Sequence, residues 1–188
     1  MTTHDPDPRV KALVDELLRL ARTADILSTS RAALAELRHA LPEGERLRAA
    51  RYVAPFLPKE QSGDEYWFYL VAALFATHRL HQSGQSLGHA FRALKDKSDG
   101  METRFLHLLS ADNRRLPDLL RPAVSLLAAH DRPLDWYRLL DDVLHWHWDD
   151  KACQHQLARD FYSGAQDNAN ADNATSDDDT KGLTHDEP

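Results

Sequence analysis

Residues 66–76 read YWFYLVAALFA, Tyr66 to Ala76, the longest apolar run in the chain. It is far shorter than the ~20 residues that a bilayer span needs. Asp64 stands just ahead as an N-cap candidate, and Trp67, Leu70, Val71, Leu74 and Phe75 recur at helical spacing. The run is predicted to be a buried helix at the centre of a core. Aromatic residues at this spacing, with Phe68, Trp136, Trp146 and Phe161, are read as packing.

Helical periodicity surrounds this element on both sides, and no segment alternates convincingly as a strand. Pro8 after Asp7 opens a first helix to about Leu27, with Val10, Leu13, Val14, Leu17, Leu18 and Ala21 on its apolar face. Ser28, Thr29 and Ser30 are N-cap candidates for a second, carrying Leu34, Leu37 and Leu41 and ended by Pro42. A third from about Glu45 to Ala54 offers Leu47, Ala50 and Val53 before Pro55 and Pro58. Beyond the central run, Ser86 caps a helix with Leu87, Ala90, Phe91 and Leu94, and Gly100 breaks the chain. Phe105, Leu106, Leu108 and Leu109 mark one further helix. Leu116, Leu119, Leu120, Val124 and Leu127 mark the next, where Pro117 and Pro122 belong in a first turn or at a kink. Pro133 and Asp135 start a helix through Leu144, and a last one spans about Asp149 to Phe161. The expected fold class is all-α, a compact globule of about eight or nine short helices, without internal repeats.

The chain has 188 residues, 42% of them hydrophobic, enough for one domain with a real core. From Ser163 onward the composition turns to SGAQDNANADNATSDDDTKGLTHDEP, with Leu183 its one large apolar residue. The expected organisation is an all-α domain over residues 1–162 and a disordered acidic tail over 163–188. Taking the tail's seven acids and one lysine from the chain's 30 and 23 leaves 23 acidic against 22 basic residues. The net charge of −7 therefore resides almost wholly in the tail, and the near-neutral remainder does not exclude a polyanionic partner. A single cysteine precludes an intramolecular disulfide, and no secretory signal opens the sequence, so a cytoplasmic location is expected.

The segment HWHWDDKACQHQLARDFY, His145 to Tyr162, concentrates histidines, aspartates and Cys153. On a regular helix His145 and His147 point roughly 200° apart and cannot share one metal ion. Cys153 and Asp149 would share a face, with His155 off it. Surface or interfacial histidines are the plainer reading, with a metal-dependent hydrolase as a rival. A Cys–His nucleophile would need an oriented base and an oxyanion pocket, which nothing in the sequence supplies. Glycine-rich phosphate loops, nucleophile elbows and paired-acid signatures are absent. No enzyme activity, metal, cofactor or small-molecule substrate is expected.

What remains is a scatter of basic residues at positions the apolar pattern leaves facing water. Arg31, Arg38, Arg46, Arg48 and Arg51 fall in the second and third helices. Arg79, Arg92, Lys95, Lys97 and Arg104 fall around the middle loops, followed by Arg114, Arg115 and Arg121. Such side chains can neutralise phosphates without reading sequence.

Six phrases then occur in order: RAALAELRHAL (31–41), YLVAALFATH (69–78), SLGHAFRAL (86–94), ETRFLHLLSAD (102–112), LPDLLRPAVSLLAAHDRPLDWYRLLDDVLHW (116–146) and LARDFY (157–162). Together they resemble the CasB family, the small subunit of the type I-E CRISPR surveillance complex Cascade. The resemblance implies a non-enzymatic all-α protein, paired with a second copy of itself and lying against the backbone and large subunits. It further implies a basic surface that steadies the guide RNA–target DNA heteroduplex and the displaced single strand. The positions matched best are Arg104, Arg114 and Arg115, then Arg92 and Lys95, then Arg51, Arg79 and Arg121. His89 stands where many relatives carry arginine, Leu157 where many carry tryptophan, and most relatives lack the acidic tail. A purely structural subunit that bridges neighbours without touching nucleic acid is the alternative.

Overall fold

In a computed structural model, residues 7–41, 43–58, 63–95 and 100–163 are described. Nine α-helices occupy them: α1 Pro8–Thr23, α2 Ser28–Arg38, α3 Glu43–Val53, α4 Glu65–Thr77, α5 Leu87–Arg92, α6 Met101–Leu109, α7 Leu116–Ala129, α8 Trp136–Leu144 and α9 Ala152–Tyr162. A 3₁₀ turn, Ala54–Phe56, follows α3. Among the described residues there is no strand, only an isolated bridge between His81 and Leu134. The chain is all-α.

Every residue of α4 from Trp67 to Ala76 is buried. A helix apolar on all sides needs neighbours on all sides, and α4 touches α1, α2, α3, α7 and α8. The remaining helices gather beyond it: α5 packs on α9 and α6, and α6 packs on α7 and α9. α7 therefore joins the α4-centred half to the α5/α6/α9 half, and one continuous apolar cluster runs through both.

Caps match residue chemistry at several ends. Asp7 accepts from Arg9 N at 2.8 Å, with Pro8 beginning α1. Ser86 Oγ accepts from His89 N at 3.2 Å. Asp135 accepts from the Tyr137 and Arg138 amides at 3.1 and 3.3 Å, while its other oxygen takes the Gly84 amide at 2.7 Å. One carboxylate thus starts α8 and straps the 81–86 loop to it. The Trp136 indole N–H donating to Leu80 O at 3.0 Å adds a second strap.

Several expectations are corrected. Asp64 occupies the N-cap of α4 but makes no side-chain capping bond. Ser28 already belongs to the first turn of α2, with Leu27 at the N-cap, so α1 ends at Thr23 rather than Leu27. α2 ends at Arg38, before Pro42, which itself lies outside the described residues. Leu47 is 83% exposed and Ala50 half-buried, because α3 turns Ala49 to the core beside the expected Val53. A weakly amphipathic 11-residue helix has two near-equivalent stripes, and packing selects one. Pro117 sits in the first turn of α7, and Pro122 lies inside the helix, where it removes the bond to the Asp118 carbonyl. α9 starts at Ala152, and Asp149 belongs to the preceding turn, which Lys151 closes at φ 51°. Of the expected tail over residues 163–188, Ser163 is the C-cap of α9 and the rest, from Gly164 onward, lies outside the described residues.

Candidate nucleic-acid interface

The loop between α6 and α7 presents Arg114 and Arg115. Asp112 Oδ1 accepts from their backbone amides at 3.1 and 2.9 Å, an Asx turn that leads directly into α7. Beneath, the buried Trp146 indole donates to Ala111 O at 2.9 Å, and Gln154 Nε2 donates to Trp146 O at 2.8 Å. Leu116, wholly buried, follows at once. The loop backbone is fastened from two sides while both guanidinium groups remain exposed.

Arg104 is exposed on α6, at the rim of an apolar groove of about 400 Å³ that Phe91, Leu108, Leu119 and Leu126 line. Arg121, on α7, opens onto a different groove, of about 660 Å³, shared with Arg38 and His39 of the α2 end and Arg48 of α3. Glu36 and Glu45 line that second groove too, and Arg48 pairs with Glu45 at 3.3 Å. Arg38 and Arg48 belong to the water-facing basic residues of the sequence but not to the positions matched best; their grouping with Arg121 arises only through the docking of α7 against the α2–α4 half.

The candidate cations fall into two electrostatic groups. Arg51 binds Glu36 at 2.5 Å and lies 4.8 Å from the Tyr52 ring centre, and this acid raises its already high pKa. Lys95 pairs with Glu102 at 3.2 Å and stands 5.5 and 5.7 Å from the Phe161 and Tyr162 rings. The Tyr162 hydroxyl and Lys95 together hold the Glu102 carboxyl below its usual range. By contrast, Arg79, Arg92, Arg104, Arg114, Arg115 and Arg121 form no ion pair among the described residues. All of these except the half-buried Arg92 are exposed, so their charge is open to a phosphate.

The distinctive phrases of the sequence are structural joints. A Cβ at Gly88 would fall 2.2 Å from Leu157 O, so SLG approaches LARDFY backbone to backbone. Asp160, buried on α9, pairs with Arg138 of α8 at 2.9 Å, and His89 Nε2 lies 4.0 Å away from the same carboxylate. His89, its side chain 35% exposed, therefore faces an acid of the α9 joint. Leu157 is buried and fills its place in the core. Asp142 shares Arg138 at 3.9 Å, and burial pushes its carboxyl up to about 7 against the pull of that guanidinium.

Among the described residues no group of three or more His, Cys, Asp or Glu side chains is placed to hold a metal. α8 ends at Leu144, which leaves His145 and His147 in a turn. Burial, then the charges of Asp142, Asp141 and Asp150, push the Cys153 thiol up to about 12. A thiol that stays protonated at neutral pH is a poor nucleophile.

The family model described as CRISPR-associated protein Cse2 matches residues 31–162, from the start of the α2 phrase to the end of α9. The chain belongs to the Cse2 family. A Cse2 protein of Thermus thermophilus is 39% identical over 126 residues, which cover 65% of this chain and 73% of that protein. The crystal structure of a Cse2-family protein from the same organism superposes with a TM-score of 0.70 at 34% identity, covering 82% of this chain and 97% of that one. M. ruber CasB superposes at 0.68 with 30% identity, over 87% and 97%. The same Cse2 fold occurs in a chain of a CRISPR RNA-guided surveillance complex, with a TM-score of 0.72, 23% identity and coverage of 87% and 97%.

Proposed function

We propose that this chain is the non-catalytic small subunit of a type I-E Cascade complex. Its exposed arginines would steady the guide RNA–target DNA R-loop and the displaced single strand. The observation that carries the reading is the Cse2 match across residues 31–162. The partners are the backbone and large subunits, a second copy of the chain and the two nucleic acids, in the cytoplasm. Exchange of a DNA duplex for a guide–target heteroduplex is nearly balanced in free energy, so a few phosphate contacts tip it. Such contacts need charge rather than base-reading groups, and cations without an ion-pair partner supply it at the least cost. Arg104, Arg114, Arg115 and Arg121 are the principal candidates, with Arg79 and Arg92 beside them. Arg51 and Lys95, whose charges already engage Glu36 and Glu102, are secondary.

The test is reconstitution of the complex with and without this subunit, with R-loop dissociation followed against salt. Faster, more salt-sensitive dissociation on omission is expected. Restoration by the wild type but not by an R104E/R114E/R115E variant assigns the effect to charge. A variant that assembles and restores R-loop lifetime in full refutes nucleic-acid contact and leaves a structural bridge.

A further inference from the structure

The groove between α6 and α7 is apolar within and cationic at its edge. Phe91, Leu108, Leu119 and Leu126 line it, and Arg104 and His107 stand beside them. At about 400 Å³ it has room for a branched aliphatic side chain, and nothing described in the chain fills it. The end of α9 lies close by. Phe161 stacks on Phe105 at 4.5 Å between ring centres, and Phe105 meets the groove-lining Phe91 at 5.4 Å. The Tyr162 hydroxyl then donates to Glu102 of α6 at 2.7 Å, which fixes the point from which residues 164–188 depart.

The departing segment complements the groove in both respects. Leu183 is its one large apolar residue, with Asp177, Asp178 and Asp179 before it and Asp186 and Glu187 after it. From Ser163 to Leu183 the chain extends up to ~65 Å, several times the separation given by the stacked rings. Arg104 is exposed and has no acid partner among the described residues. We infer that the acidic tail of this chain docks in the α6/α7 groove, with Leu183 as the apolar anchor and its flanking acids against Arg104 and His107. The tail thereby competes with nucleic acid for that edge of the basic surface. Because it is tethered, it competes at a high effective concentration, and nucleic acid displaces it only by making more phosphate contacts than Arg104 alone offers. The competition rests on the proposed function; the docking does not.

The test uses the full-length protein with methyl-labelled leucines. The variants are Leu183→Ala and the charge-neutral D177N/D178N/D179N. Docking predicts that the Leu119 and Leu126 methyl signals move in both variants, independently of protein concentration. Combining the changes should tighten single-stranded DNA binding by about tenfold at 50 mM salt, with the difference vanishing by 0.5 M. Unchanged methyl signals overturn the docking. Methyl changes that fade on dilution assign the groove to a second copy and overturn the intramolecular contact. Moved signals with unchanged DNA affinity overturn the competition. If no form binds nucleic acid, the proposed function fails, while the methyl signals still decide the docking.

Discussion

Gly88→Ala is the sharpest probe of how this fold closes. A Cβ there would lie 2.2 Å from the backbone carbonyl oxygen of Leu157 and 3.0 Å from Asp160 Cβ. Close C–H···O contacts settle at ~3.3–3.6 Å, so α5 and α9 must part by about 1 Å. A backbone oxygen cannot rotate out of the way, and the separation disturbs Phe91, Leu157 and Phe161, all nearly inaccessible, along with the Arg138–Asp160 pair. Overpacking of this kind costs about 3 kcal/mol. For a chain of this size the loss lowers the melting temperature by roughly 6–12 °C. Helix propensity alone predicts the opposite sign, a gain of about 1 kcal/mol on replacing a helical glycine by alanine. Urea and thermal denaturation of the full-length variant decide between them, with an unchanged m-value as the check on two-state behaviour. A midpoint equal to or above that of the wild type would refute the close approach of the two helices.

Three further outcomes follow from particular residues. Charge removal at Arg104, Arg114 and Arg115 together should flatten the salt dependence of single-strand binding by about 2 in log–log slope, at ~0.7 per phosphate contact. Removal of Arg51 or Lys95 should change it by less, because Glu36 and Glu102 already hold those charges; equal slopes for all five positions would contradict the division. Burial raises Asp142 from 3.8 to about 7, beside Arg138, Asp141, Asp160 and Asp135, so the folded chain retains a proton that the unfolded chain releases. That contribution to stability is lost as pH climbs from the unfolded value toward about 7, and Asp142→Asn should flatten this part of the profile in thermal melts at pH 5 to 8. Identical pH profiles for the two proteins would sink the assignment. Asp135→Ala removes the α8 cap and the acceptor for the Gly84 amide, and should cost about 1–3 kcal/mol in urea denaturation. It should also loosen amide exchange in residues 81–86, and unaltered exchange there would show that the strap carries no weight.

Much of the fold was legible in the residues because its signals are local. YWFYLVAALFA is apolar on every helical face, and its burial on all sides follows from that alone. Ser86, Asp135 and the Asp7–Pro8 pair mark helix starts by chemistry that acts within three residues, and those starts are where they were expected. Asp64 and Leu47 show where local signals give out. A capping residue can occupy its position without making the bond, and a short helix with a weak stripe takes its orientation from its neighbours. The candidate site divides likewise. That Arg114 and Arg115 face water follows from SAD-N-RR preceding a helix, but the pairing of Lys95 with Glu102 depended on how α5 and α6 dock.

By itself the sequence determined the all-α class, the central helix, most helix starts and, through six ordered phrases, the family. These rest on periodicity and capping, which act over one or two helical turns. Only the tertiary structure decided that Gly88 meets the Leu157 carbonyl, that Trp146 holds the arginine-bearing loop, and that Arg38, Arg48 and Arg121 share one groove. It also decided which cations keep their charge available and which have spent it on a neighbouring carboxylate. Each of those outcomes joins residues tens of positions apart, and no local pattern encodes such a distance until the helices are packed.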